Sequence, residues 1–100
     1  MPHINITVPH ALTQDEAVQR IKNLPASLEQ EFAGKVSDIQ QNWNGNAAEF
    51  SFNAVGFLIS GKADVQPHQA DIHVDLPLLA LPFKGRLTDA IQKRAEQLLA

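Results

Sequence analysis

From Ala48 to Leu76 the chain alternates apolar and polar residues in three successive runs cut by turn residues. In "AAEFSFNA" the residues Ala48, Phe50 and Phe52 share one side; in "FLISGKADV" Phe57, Ile59, Gly61, Ala63 and Val65 do; in "ADIHVDL" Ile72, Val74 and Leu76 do. A period of two sends successive side chains to opposite faces, so each run is a strand with one face for the core and one for water. Gly56 and "QPHQ" mark the turns between them. Connections this short join only antiparallel neighbours. "VSDIQQNW" precedes them through "NGN" at Asn44–Asn46, where Asn-Gly tolerates the positive φ of a hairpin turn. Ile39 and Trp43 fit the alternation of that strand, whereas Val36 breaks it and leaves the strand's start open. "HINITV" supplies one more strand, with Ile4, Ile6 and Val8 on one side and Pro9 at its end.

A sheet apolar on one face needs a cover, and two helical segments provide it. "TQDEAVQRIKNLPASLEQEFAGK" opens with Thr13 and Glu16 at capping-box spacing. Val18, Ile21, Leu24, Leu28 and Phe32 then form one helical stripe. Pro25 has no N–H for the Ile21 carbonyl and its ring crowds it, so a kinked helix or two short helices are expected. Gly34 is the stop signal. The last helix runs from about Pro82 or Phe83 to the end and carries Phe83, Leu87, Ala90, Ile91, Leu98 and Leu99. The expectation is a single α+β domain over residues 1–100, ordered β-α(α)-β-β-β-β-α, with an antiparallel sheet of about five strands and both helical segments on one face. Hydrophobic residues make up 44%, enough for a core.

Composition removes several function classes. A net charge of −3 with eight scattered Lys and Arg residues argues against nucleic acid as a partner. Without cysteine there is no disulfide, thiolate metal site or cysteine nucleophile. No signal peptide is recognisable, and the longest apolar run, Leu76 to Phe83, holds two prolines and falls short of the roughly 20 residues of a membrane span. A cytoplasmic protein is expected. Asp71, His73 and Asp75 share a strand face, with His68 before them, but same-face residues two apart sit about 7 Å from one another, wide for one ion. His3 and His10 flank a strand without a paired nucleophile, and Ser60 lacks the Gly-x-Ser-x-Gly elbow. Trp43 reads as packing at the core edge rather than as a ligand platform. No catalytic, cofactor or metal motif emerges, and a non-enzymatic role is expected.

The segment "LPLLALPFKGRL" is different. Leu78, Leu79 and Leu81 adjoin Lys84 and Arg86, cations that oppose the dipole of the helix they open. These five residues form the candidate interaction surface, for an apolar granule, a lipid monolayer or a partner protein. Two of the leucines are expected to be buried and the rest exposed. Phe83 is expected in the core, where Phe83→Ala would cost about 3–5 kcal/mol. The helix start also offers free N–H groups for an anion, with Gly85 allowing close approach to a ligand or to the sheet. A homodimer through the strand edges or through the Leu78–Phe83 patch is a further expectation.

"HINITVPHALTQDEA", "NWNGN", "AVGFLISG" and above all "LPLLALPFKGRLTDAIQKRAEQLL" resemble the polyhydroxyalkanoic acid system proteins, small bacterial proteins from storage-polymer gene regions. The Pro-Phe-Lys-Gly step into the terminal helix is the most specific piece, and Pro25 departs from the uninterrupted helix of that family. The resemblance implies a role in polyhydroxyalkanoate storage, with granules or granule-associated proteins as partners, and carries no catalytic residues with it. The element order also resembles a shortened helix-grip fold. That resemblance implies, as the alternative function, a carrier for an acyl chain or similar apolar ligand, with small residues at Ala48, Gly61 and Ala63 leaving an internal cavity. A less favoured third reading is an enzyme of acyl metabolism with His73 or His10 as base.

Overall fold

A computed structural model describes residues 2–100. Strand β1 (His3–Pro9) is followed by helices α1 (Gln14–Ile21) and α2 (Leu24–Glu31). Strands β2 (Val36–Asn44), β3 (Ala47–Ala54), β4 (Phe57–Val65) and β5 (Gln69–Asp75) come next, then a 3₁₀ helix (Leu78–Phe83) and α3 (Lys84–Leu99). The strands form one antiparallel sheet in the order β1-β5-β4-β3-β2, so the first strand pairs with the last and β1 and β2 are the edges. All helices cover the apolar face. Phe52, Ile59, Val65, Ile72, Val74 and Leu76 from the strand side and Ile91 from α3 are its largest fully buried side chains. This is the α+β layout expected of a shortened helix-grip fold.

The strands follow the alternation of the sequence, and the one break in it has a cause. Between Ser37 and Gln40 the pairing with β3 advances three residues on β2 against two on its partner, from Asn53 to Ser51. The extra residue is a β-bulge at Asp38, whose φ is 55°. It flips the parity of β2, so Val36 before it and Ile39 and Trp43 after it reach the same face. The β2–β3 turn is also displaced by one residue from the Asn-Gly reading. Asn44 pairs with Ala47, and Gly45, with φ 63°, is the first central residue, the type II′ arrangement.

Pro25 gives two helices rather than a kink. It sits in the first turn of α2, where its missing N–H costs nothing. The stripe keeps phase across the break: Val18, Ile21, Leu24 and Leu28 are buried and Phe32 is half-buried. The Thr13 hydroxyl accepts from the Glu16 N–H at 3.2 Å, while the Glu16 carboxylate pairs with Arg20. Arg94 of α3 donates to Glu31 of α2 through Nε at 2.8 Å, and this bond and charge hold the Glu31 carboxyl below its ordinary range.

Two backbone positions are tightly determined. At Gly61 a Cβ would meet the His73 carbonyl oxygen and lie 2.7 Å from Phe50 Cζ, because the Phe50 ring lies across the glycine that pairs with it. Gly61→Ala should therefore cost about 1–3 kcal/mol, read as a lowered urea midpoint at constant slope. At the β3–β4 turn, Val55 (φ 49°) and Gly56 (φ 84°) are both left-handed, as a type I′ turn requires. A β-branched residue is strained there. Val55→Asn should raise stability by about 1 kcal/mol in the same measurement.

Candidate functional site

Strand β4 outruns its neighbour. Its pairing with β5 begins at Ser60, opposite Asp75, so Phe57, Leu58 and Ile59 project past β5 with only β3 beside them. Three residues amount to about 10 Å of overhang. The chain leaves β5 by burying Leu76, whose N–H donates to the Pro2 carbonyl, and then crosses this overhang as the 3₁₀ helix. A cleft of about 110 Å³ lies between them. Ile59, Leu76 and Leu87 are its buried walls, and Phe32, Phe57 and Phe83 stand nearer the surface. Lys35 and Arg86 are its charged lining, and no carboxylate lines it. The Arg86 guanidinium carbon lies 5.5 Å from the Phe32 ring centroid, which orients the cation at the mouth.

The 3₁₀ helix places the leucines differently from the sequence-based expectation. With three residues per turn, positions three apart share a face. Pro77, Ala80 and Phe83 therefore point together, closed by the bond from the Ala80 N–H to the Pro77 carbonyl at 2.9 Å. Ala80 is 2% exposed and is the residue that seats this segment. Leu78, Leu79 and Leu81 are 70%, 79% and 44% exposed, so none of the three is a core residue, against the expected two. Phe83 is also corrected: it touches the Phe57 ring, with centroids 6.0 Å apart, yet is 40% exposed at the cleft mouth. Phe83→Ala should cost only about 1–2 kcal/mol in urea unfolding, in place of the 3–5 of a core phenylalanine.

Lys84 and Arg86 are exposed, but the α3 start is not an open anion site. The 3₁₀ helix runs directly into α3, and the Lys84 N–H donates to the Leu81 carbonyl. Gly85 has no neighbour near its absent side chain, so it does not serve a close approach to the sheet. Sequence reasoning missed Lys35, Phe32 and Val55, which come from the α2–β2 loop and the β3–β4 turn. The signal available was the Val55-Gly56 turn, where a valine takes a position suited to Asn or Gly.

The other candidates resolve into structural roles. His73 Nδ1 lies 2.6 Å from Asn5 Oδ1 and Nε2 lies 3.0 Å from Asp75, while its ring stacks on His3. Asp71 accepts from Thr7, Gln66 and Gln69. Among the described residues no group of three or more His, Asp or Glu converges as a metal site. His10 accepts from the Leu12 N–H and its Nε2 lies 2.9 Å from the Gln66 carbonyl, fastening the α1 approach to the β4–β5 turn. Trp43 is half-buried against the core and donates to Gln41. Ala48, Gly61 and Ala63 leave no ligand chamber: Phe50 occupies the space over Gly61, and only about 20 Å³ remains beneath α1 and α2. No helix is long and apolar enough to cross a membrane.

The fold and cleft define a small one-layer-sheet domain with an apolar, cation-flanked opening at one end. The family model described as "Putative polyhydroxyalkanoic acid system protein" matches residues 4–99, and the chain belongs to that family. A search of curated proteins finds no match. Among solved structures, the crystal structure of the Zhui aromatase/cyclase from Streptomyces sp. R1128 is similar with a TM-score of 0.43 and 9% identity, covering 99% of this chain and 96% of that one.

Proposed function

We propose that this protein is a non-enzymatic binding protein of polyhydroxyalkanoate storage that seats on the granule surface through the end of the sheet where β4 overhangs. One observation carries the reading. Every exposed large hydrophobic residue among those described falls in two segments, Val55 and Leu58 at the β3–β4 turn and Leu78, Leu79, Leu81 and Phe83 on the 3₁₀ helix. The Phe57–Phe83 ring contact joins the Val55 turn to the 3₁₀ helix at one end of the sheet, with Leu58 at the same end on the other sheet face. Scattered exposed leucines are ordinary, whereas a contiguous patch is a contact surface. Lys35 and Arg86 line the cleft with Val55 and Phe83, and exposed Lys84 follows Phe83 directly, which suits an apolar phase carrying carboxylate groups at its boundary.

Membership of the polyhydroxyalkanoic acid system family supports a storage granule as that phase. A binding role rather than catalysis is favoured because neither His73 nor His10 lines the cleft: His73 is tied to Asn5 and Asp75 on the outer sheet face and His10 to Leu12 and Gln66 near the β4–β5 turn. The reading places the protein in the cytoplasm, at the granule or with granule-associated proteins.

Co-sedimentation with washed polyhydroxyalkanoate granules tests it. The wild type should pellet with the granules, and a Leu79→Ser/Lys84→Glu variant should bind at least about tenfold more weakly. Equal pelleting of both proteins, or pelleting of neither, removes this surface as the docking site. A dimer that forms in ultracentrifugation and dissociates in the same variant would assign the patch to a second copy instead.

A further inference from the structure

The cleft has a chemistry of its own, apart from the exposed leucines around it. Its lining is apolar except for Lys35 and Arg86, and neither of these makes an ion pair among the described residues. Arg94, not Arg86, is hydrogen-bonded to Glu31, and Arg86 only adds to the positive field that lowers the Glu31 carboxyl. An apolar recess beside two cations without a carboxylate partner is complementary to a molecule with an aliphatic tail and an anionic head. Its volume limits the tail. At about 110 Å³ it is smaller than the roughly 150 Å³ engineered cavity that admits benzene, so it holds about four carbons of a chain and leaves any further carbon and the head group at the open mouth.

We infer that this cleft binds a short aliphatic carboxylate, with the chain between the 3₁₀ helix and the overhanging end of β4 and the carboxylate held by Arg86 and Lys35. The Arg86 guanidinium is already held over the Phe32 ring at the edge of the cleft, so less side-chain freedom is lost on binding. Leu78, Leu79 and Lys84 lie outside the lining, so granule docking and carboxylate binding are separable properties of the same end. A hydroxyalkanoate, free or as the acid end of a polymer chain, is the natural occupant. That choice rests on the granule reading and the family, while the carboxylate chemistry rests on the cleft alone.

The test is a ¹⁵N NMR titration of the full chain with sodium hexanoate and, separately, with 1-hexanol, which matches the tail but has no charge. Hexanoate should shift the Val36, Val55, Phe57 and Leu87 amides saturably, and 1-hexanol should bind at least about tenfold more weakly. Arg86→Gln should abolish the preference for the acid, and Lys35→Gln, an exposed loop substitution, should reduce it. Racemic 3-hydroxyhexanoate should compete with hexanoate. Equal affinities for acid and alcohol, unsaturable shifts, or saturable shifts confined to Leu24 and Trp43 would overturn the inference. The Leu79→Ser/Lys84→Glu variant separates the two readings: it should lose granules and keep hexanoate. Loss of hexanoate binding there, with its fold intact by NMR, would also count against the cleft.

Discussion

The three residues by which β4 outruns β5 govern the end of the sheet that carries the cleft and the exposed leucines. Over most of the sheet, each strand's apolar face is covered by α1 and α2 or by α3. Past the Ser60–Asp75 pair, Phe57 and Ile59 have no β5 beside them and need a cover from elsewhere. The chain meets this need with Leu76, Ala80 and Phe83, in a segment too short for another α-helix. A short 3₁₀ stretch closes the floor but not the mouth. The cleft, its phenylalanine walls and the clustering of exposed leucines therefore follow from one mismatch in strand length.

The same mismatch explains why the leucines were misjudged from sequence. In "LPLLALPF" hydrophobicity alone makes the leucines the core and Ala80 incidental. The geometry reverses this, because a period of three aligns Pro77, Ala80 and Phe83, and a small residue lets the 3₁₀ helix lie close to Leu76 and Leu87. The period could not be chosen from sequence, since eight apolar residues with two prolines fit a strand end, a loop or a helical turn equally well. Phe83 was misplaced for the same reason: its face was right, but that face opens into a cleft.

The sheet and its cover were far more legible, because period-two and helical patterns each admit one burial solution. Even the anomalies were visible as anomalies. Val36 out of phase with Ile39 and Trp43 is the signature of the bulge at Asp38, and Pro25 within a continuous stripe is the signature of two helices in phase. Strand register was not legible in this way. Leu76 has the parity of Val74 and reads as more strand, yet β5 ends at Asp75. Where a strand stops relative to its neighbour is set by pairing across the sheet, and a single chain's pattern does not encode it. Lys35 and Phe32 were missed as site residues on the same ground: they reach the cleft from a loop distant in sequence.

Local rules are obeyed through most of this domain and broken at one end of it. Val55 is a β-branched residue with positive φ, in a turn where Asn would be unstrained. Lys84 and Arg86 open a helix whose dipole disfavours them by roughly 0.3–1 kcal/mol each. Four large apolar side chains of the 3₁₀ helix face water. In a domain of this size, whose stability margin is of order 5–15 kcal/mol, such features add up to a sizeable fraction. Apart from Phe83, which packs on Phe57, none of them is needed to close the sheet, since Leu76 and Ala80 are the buried residues of that cover. Departures from local preference of such different kinds, gathered at one end of the sheet in an otherwise consistent fold, are where a binding role would be sought first.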